Sequence, residues 1–174
     1  NIFGPLNRLN NLPDSSITGA ELDVQWRPLS GLSLNLGATY IDSEIGNYTD
    51  YDPFGLLRNF KGEAFPNTPD WQVNAGAEYA WSVAGLAASI GGNVTYRSET
   101  NGALGDYKVL AIDSYTLLDL HAGIGAPDDR WAVTLWGRNV TDEYYWSNAY
   151  KIADVSGRFA GMPATYGVRF AARY

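Results

Sequence analysis

The sequence contains no cysteine in its 174 residues, so neither a disulfide framework nor a thiolate metal site can form. Histidine and methionine each occur once. Basic side chains are in deficit: 12 Lys and Arg against 19 Asp and Glu give a net charge of −7. That balance argues against nucleic acid as a partner, whose phosphates demand a dominant basic patch. No run of about 18 consecutive apolar residues occurs, which excludes a transmembrane helix. A transmembrane β-barrel stays open, because its strands carry apolar side chains only at alternate positions. The chain starts at Asn1 with neither methionine nor signal peptide, so the true start is expected upstream.

What the sequence does hold is aromatic and glycine-rich: 12 Tyr, 6 Trp and 19 Gly. Those residues suit strands and turns better than helices. Side chains in a strand alternate faces, and alternation recurs along the chain. In 19–26, Ala20, Leu22, Val24 and Trp26 oppose Glu21, Asp23 and Gln25. In 31–40, Leu32, Leu34, Leu36, Ala38 and Tyr40 oppose Ser33, Asn35, Gly37 and Thr39. Segments 70–81, 85–97, 115–124 and 130–140 repeat the pattern. The terminal "TYGVRFAARY" sets Tyr166, Val168, Phe170 and Tyr174 against Gly167, Arg169 and Arg173. The sum is an all-β antiparallel up-and-down meander of about seven strands, each about ten residues long, a length that suits a tilted membrane strand.

Connections alternate strictly in length. Short turns fall at 28–31, 82–85 and 126–129, and long polar loops at about 42–69, 98–113 and 147–163. Every short turn therefore lies at one end of the sheet and every long loop at the other, as in outer-membrane barrels. No linker or second-domain boundary interrupts the pattern.

Alternation alone does not say whether the apolar face meets a core or lipid. Three features favour lipid. Aromatic residues such as Trp26, Tyr40, Trp71, Trp81, Tyr96 and Trp131 lie near strand ends, where headgroups sit. Mid-strand apolar positions such as Ala38, Ala75, Ala77 and Gly92 are small, a poor recipe for a dense core. Loop sorting is the third.

The stretches "LWGRNVTDEYYW" (135–146) and "PATYGVRFAARY" (163–174) resemble the C-terminal end of TonB-dependent outer-membrane receptors. Residues 15–45 and 65–81 are similar to the strands that precede it in that family. The most specific parts are Gly137–Asp142 and the terminal aromatic. The resemblance implies that residues 1–174 are the last third of a large plugged barrel, with the plug domain absent from this sequence. It implies as partners outer-membrane lipid, the remaining barrel strands and plug of the parent chain, the TonB complex, and the barrel-assembly machinery, which reads the last residue, here Tyr174. It further implies uptake of a scarce nutrient such as a siderophore–iron complex at the bacterial outer membrane, no enzymatic activity and no cofactor. A soluble all-β barrel holding a small apolar ligand is the alternative from another class.

Other constellations are weaker. His121 lies on the polar face near Asp119, but no G-x-S-x-G elbow accompanies it, so a structural or lumen-facing role is expected. Asp42, Glu44, Asp50 and Asp52 offer oxygen ligands without the regular spacing of a calcium loop, so a solvated loop is expected there. Three matches to the glycosylation sequon, two of them on strands, are ascribed to chance. Arg97, Arg138, Arg169 and Arg173 are expected to pair with plug carboxylates or with neighbours such as Glu21 and Glu78. Val168→Arg is expected to be costly in lipid, and Gly167→Arg far less so. Tyr166, Val168, Phe170 and Tyr174 are the candidate assembly residues; no catalytic, cofactor or metal residue is nominated.

Overall fold

The computed structural model describes residues 14–173. Chain order is β1 (Ser16–Leu29), β2 (Leu32–Glu44), β3 (Thr49–Tyr51), β4 (Leu57–Asn59), β5 (Trp71–Val83), β6 (Leu86–Arg97) and β7 (Thr100–Asn101). A single 3-10 turn (Lys108–Leu110) follows. Then come β8 (Ala111–Ile112), β9 (Tyr115–Gly125), β10 (Trp131–Arg138), β11 (Trp146–Ile152), β12 (Val155–Ala160) and β13 (Thr165–Ala172). Seven of these strands form one antiparallel sheet in the order β1-β2-β5-β6-β9-β10-β13. The meander expected from alternation is therefore present, with every neighbour next in sequence once the loop hairpins are set aside.

The short turns are tight because their residues supply the backbone they need. Val83 pairs with Leu86 across Ala84 (φ 51°) and Gly85 (φ 79°), two positive φ values in a row. A two-residue turn of that hand matches the twist of the flanking strands. At Gly31 (φ 83°) a Cβ would meet the Ala80 carbonyl oxygen at 2.2 Å, so this turn can lie against β5 only without a side chain.

Register assigns the faces. Leu22–Ala38, Val24–Leu36 and Trp26–Leu34 stack on the apolar face, and Glu21–Thr39, Asp23–Gly37 and Gln25–Asn35 on the polar one. Pairing carries one apolar row from Trp26 through Leu34, Ala77, Gly92, Leu120 and Gly137 to Tyr166. That row begins near the turn end of β1 and finishes near the loop end of β13. Such stagger is what a tilted barrel wall requires.

The apolar face has no cover. Leu22, Trp26, Ile90, Leu135, Tyr166, Val168 and Phe170 are all exposed, the last at 68%. Apart from Ala88 on β6 and Ala126 at a turn, the buried hydrophobic residues are Ile45, Phe60, Leu110, Ile112 and Ala149, all in the long connections. The sequence suggests polar loops there; instead they hold three small hairpins, β3-β4, β7-β8 and β11-β12, and the core. A further correction concerns the last loop. It spans 139–164 rather than beginning at 147, because β10 stops at Arg138 and the chain turns away at Asn139 (φ 48°).

Candidate functional site

The three long connections, 45–70, 98–114 and 139–164, leave the same end of the sheet and interlock into one cap. Leu110, Ile112 and Ala149 form its centre, with Ala103, Tyr107 and Trp146 packed around them. Burial of this kind is what lets a loop cluster hold one shape in water.

Polar contacts join the first two loops. The Tyr107 hydroxyl donates to Asp52 Oδ2. Arg58 Nη1 donates to the Gly105 carbonyl at 2.9 Å, and the Gly105 amide donates to Glu63 Oε2 at 2.7 Å. Asp52 is 1% exposed, and its Oδ1 also accepts the amides of Phe54 and Leu56 at 2.8 and 2.9 Å. Burial pushes its pKa up, yet the Tyr107 hydroxyl, the two amides and Arg58 together outweigh it and hold the carboxyl below its ordinary value of 3.8. The third loop joins through Arg158, whose guanidinium donates to the carbonyls of Lys108 and Val109, and through Lys151 Nζ, 4.8 Å from the Phe54 ring centre.

Where the first and second loops meet, a cavity of about 430 Å³ opens. Glu63, Asp70, Glu99, Asp106 and Asp113 line it, with no lysine or arginine. The four loop carboxylates considered from sequence do not converge. Asp42 and Glu44 stay on β2, Asp50 accepts the Tyr48 hydroxyl at 2.6 Å, and Asp52 faces Tyr107. Among the described residues no three acidic or histidine side chains gather as metal ligands would.

On the polar face of the sheet the arginines do not take the neighbouring-strand partners that the sequence suggested. Arg97 donates to the Asn67 carbonyl at 3.2 Å, and Arg138 lies over the Trp136 ring at 5.6 Å. Among the described residues neither they nor Arg169 and Arg173 form an ion pair with Glu21 or Glu78. Glu78 faces His121 instead, Oε2 to Nε2 at 3.9 Å, reaching across Gly91. Asp119, expected beside His121, accepts the Asn139 amide at 2.9 Å.

Of the candidate assembly residues, Tyr166, Val168 and Phe170 share the exposed apolar face of β13. Tyr174 lies outside the described residues. Aromatic side chains gather at both ends of the apolar face: Tyr40 and Trp71 stand 4.9 Å apart toward the cap, Tyr79 and Trp81 5.5 Å apart toward the turns. Sequence reasoning missed Tyr107, Arg58 and Arg158, since no periodic signal marks residues that meet only through tertiary contact.

Three solved receptors share this fold. The siderophore receptor PiuA from Acinetobacter baumannii matches at TM-score 0.72 and 21% identity, covering 90% of this chain and 21% of that one. The ferric yersiniabactin uptake receptor FyuA from Yersinia pestis matches at 0.75 and 20%, covering 90% and 23%. The ferric preacinetobactin receptor BauA from Acinetobacter baumannii matches at 0.66 and 23%, covering 90% and 22%. The chain thus spans about a fifth of the length of each receptor. The family model described as TonB dependent receptor-like, beta-barrel, matches residues 1–140, and the chain belongs to that family.

Proposed function

We propose that residues 1–174 are the C-terminal portion of the barrel of an energy-coupled outer-membrane receptor that imports a siderophore–iron complex. The observation that carries this reading is an inversion of the ordinary protein. The sheet leaves its apolar face uncovered from Trp26 to Phe170, while the buried hydrophobic cluster sits in the loops at one end. Lipid covers the apolar face in this reading, and the aromatic residues at its two ends meet the headgroups. The polar face lines a lumen filled by a plug from the rest of the parent chain, through which the TonB complex acts. The loop cap faces the medium and meets the incoming ligand. Tyr174 serves the barrel-assembly machinery, and the role is transport rather than catalysis. Likeness to three siderophore receptors supports the ligand class.

A soluble barrel is not favoured. It would pair β1 with β13 and turn the apolar face inward, whereas among the described residues these two strands are the outermost of the sheet and do not pair, and the apolar face is exposed.

The test uses the full gene. Membrane fractionation should place the product in the outer membrane, and its deletion should reduce uptake of a radiolabelled ferric siderophore. A cytosolic product would end the reading. Correct location without ferric-siderophore uptake would end the assignment of the ligand alone.

A further inference from the structure

The motif Gly137–Asp142 is the most specific stretch in the sequence, yet none of it belongs to the loop-cap core or to the acidic cavity. Its geometry gives it another task. Asn139 is 4% exposed and uses nearly all of its hydrogen-bonding groups. Its amide donates to Asp119 Oδ1 at 2.9 Å, and its carbonyl accepts from the Asp142 amide at 2.9 Å. Its side-chain Nδ2 donates to the carbonyls of Glu143 and Met162 at 2.9 and 3.0 Å, while Oδ1 accepts the Glu143 amide at 2.9 Å. Asp142 Oδ1 accepts the Ala164 amide at 2.9 Å, and the Val140 amide donates to the Leu118 carbonyl at 2.8 Å. Both Asn139 and Asp142 have positive φ, 48° and 52°, a conformation that Asn and Asp tolerate better than other residues with a Cβ. The knot therefore ties the start of the connection 139–164 to its own end and to β9.

We propose that Asn139 and Asp142 set the register of the terminal strand β13 against β10. A tight turn fixes register by its own geometry, but a connection as long as 139–164 does not. The apolar pattern helps only in part. A slip of one residue turns Tyr166, Val168 and Phe170 to the polar face, whereas a slip of two keeps them on the apolar face. The pattern is blind to that second error. The knot is not, because Met162 and Ala164 are named by Asn139 and Asp142 individually. Side-chain fit supports the same register on both faces. A Cβ at Gly167 would lie 2.4 Å from the Trp136 ring, and one at Gly137 would lie 2.8 Å from the Tyr166 ring. A two-residue slip places Arg169 or Thr165, rather than Gly167, opposite Trp136. Among the described residues the far edge of β13 has no neighbouring strand, so its register decides which groups it offers to the next wall strand.

The experiment uses the full-length receptor, in which this chain contributes no cysteine of its own. Thr134→Cys with Arg169→Cys joins residues that face each other in the native register. Thr134→Cys with Ala171→Cys, and Ala132→Cys with Arg169→Cys, report slips of two in either direction. In the native background only the first pair should cross-link. With Asn139→Ala and Asp142→Ala added, native cross-linking should fall severalfold and a shifted pair should rise. Unchanged native cross-linking with no shifted product overturns the proposal. Should the double variant fail to reach the membrane, Asp142→Ala alone decides, since it frees the Ala164 amide and leaves the cap core in place. A rise in either shifted pair supports the proposal, and native cross-linking alone overturns it.

Discussion

The wall and the cap of this molecule bury opposite things. In the wall, Leu22, Ile90, Leu135 and Val168 stand exposed on one face of a seven-stranded sheet, and among its described hydrophobic side chains only Ala88 falls below a tenth exposed. In the cap, Ile45, Phe60 and Leu110 are at 1% exposure or less within connections that carry little regular structure. Ordinary expectation reverses this, with strands inside and loops out. In the function proposed above, the difference follows from where each region finds its solvent, the cap in water and the wall in lipid. A cap in water must bury apolar surface within itself to offset the chain entropy it loses. A wall in lipid needs no partner for its apolar side chains, only a hydrogen bond for every backbone group. Each wall strand pairs with its neighbours in the sheet, and among the described residues β1 and β13 are the outermost.

The largest test of the contrast is a charge on the apolar face. Val168→Arg should cost about 2–4 kcal/mol near the bilayer midplane. The structure revises the expectation for its neighbour. From sequence Gly167→Arg is expected to cost far less than Val168→Arg, but the Trp136 ring occupies the space its Cβ would need. Overpacking of that kind costs about 1–3 kcal/mol, so Gly167→Arg should fall between Val168→Arg and the mild Arg169→Gln. Unfolding of the full-length receptor from vesicles ranks the three. A Val168→Arg cost no greater than that of Arg169→Gln would mean that the apolar face meets water. A label at Phe170 should then also escape lipid quenchers, whereas the present reading has it quenched and one at Arg169 not.

How much of this was legible in sequence differs between the two regions. All seven wall strands were, because alternation leaves a trace at every second residue and their partners are the next strands along. The short turns were legible for the same reason, as Ala84-Gly85 and Ser30-Gly31 lie between two alternating runs. The cap was not. Phe54, Leu56, Leu57 and Phe60 stand in the first loop without period, and nothing local says that Phe60 is buried while Leu57 is 63% exposed. Asp52 looked like one more solvated carboxylate, yet it accepts two nearby amides and the hydroxyl of a tyrosine far along the chain. The stretch Gly137–Asp142 was recognisable as a motif, but its purpose needed coordinates, since its partners Asp119, Met162 and Ala164 come from outside it.

A middle-sized effect probes the cap alone. Asp52→Ala removes a buried charged acceptor and leaves the Tyr107 hydroxyl and two amides without it, at about 1.5–3 kcal/mol. Limited proteolysis should then cut within 45–70 faster, with the wall still protected by the bilayer. Acid should reproduce this. The folded carboxyl titrates below its ordinary value of 3.8, so its stabilisation is full above that value and is lost as pH falls through the folded pKa. The cap should therefore loosen below about pH 4, and Tyr107→Phe should bring the loosening to a higher pH by removing one bond to the carboxylate. A cleavage rate in 45–70 independent of Asp52 and of acid would show that the cap is held by its apolar cluster alone.

The smallest effect belongs at the opposite end of the wall. Arg130 Nε meets Asp128 Oδ2 at 2.5 Å, closer than any other ion pair among the described residues, with side chains 76% and 51% exposed. Geometry suggests strength, but environment decides otherwise. Both partners belong to one turn, whose backbone is already closed by the Ala126 amide on the Trp131 carbonyl at 2.9 Å and the Asp129 amide on the Ala126 carbonyl at 3.0 Å. An exposed pair gains little Coulomb energy, loses side-chain freedom and is screened by salt, so Asp128→Ala should cost about 0–1 kcal/mol. The Asp52 contact differs in both respects, being buried and joining two loops. Comparing the two variants in the same full-length receptor separates burial from distance as the source of strength. If Asp128→Ala destabilised as much as Asp52→Ala, and salt failed to reduce the loss, the turn end would be as firmly built as the cap and the contrast between the two ends would fail.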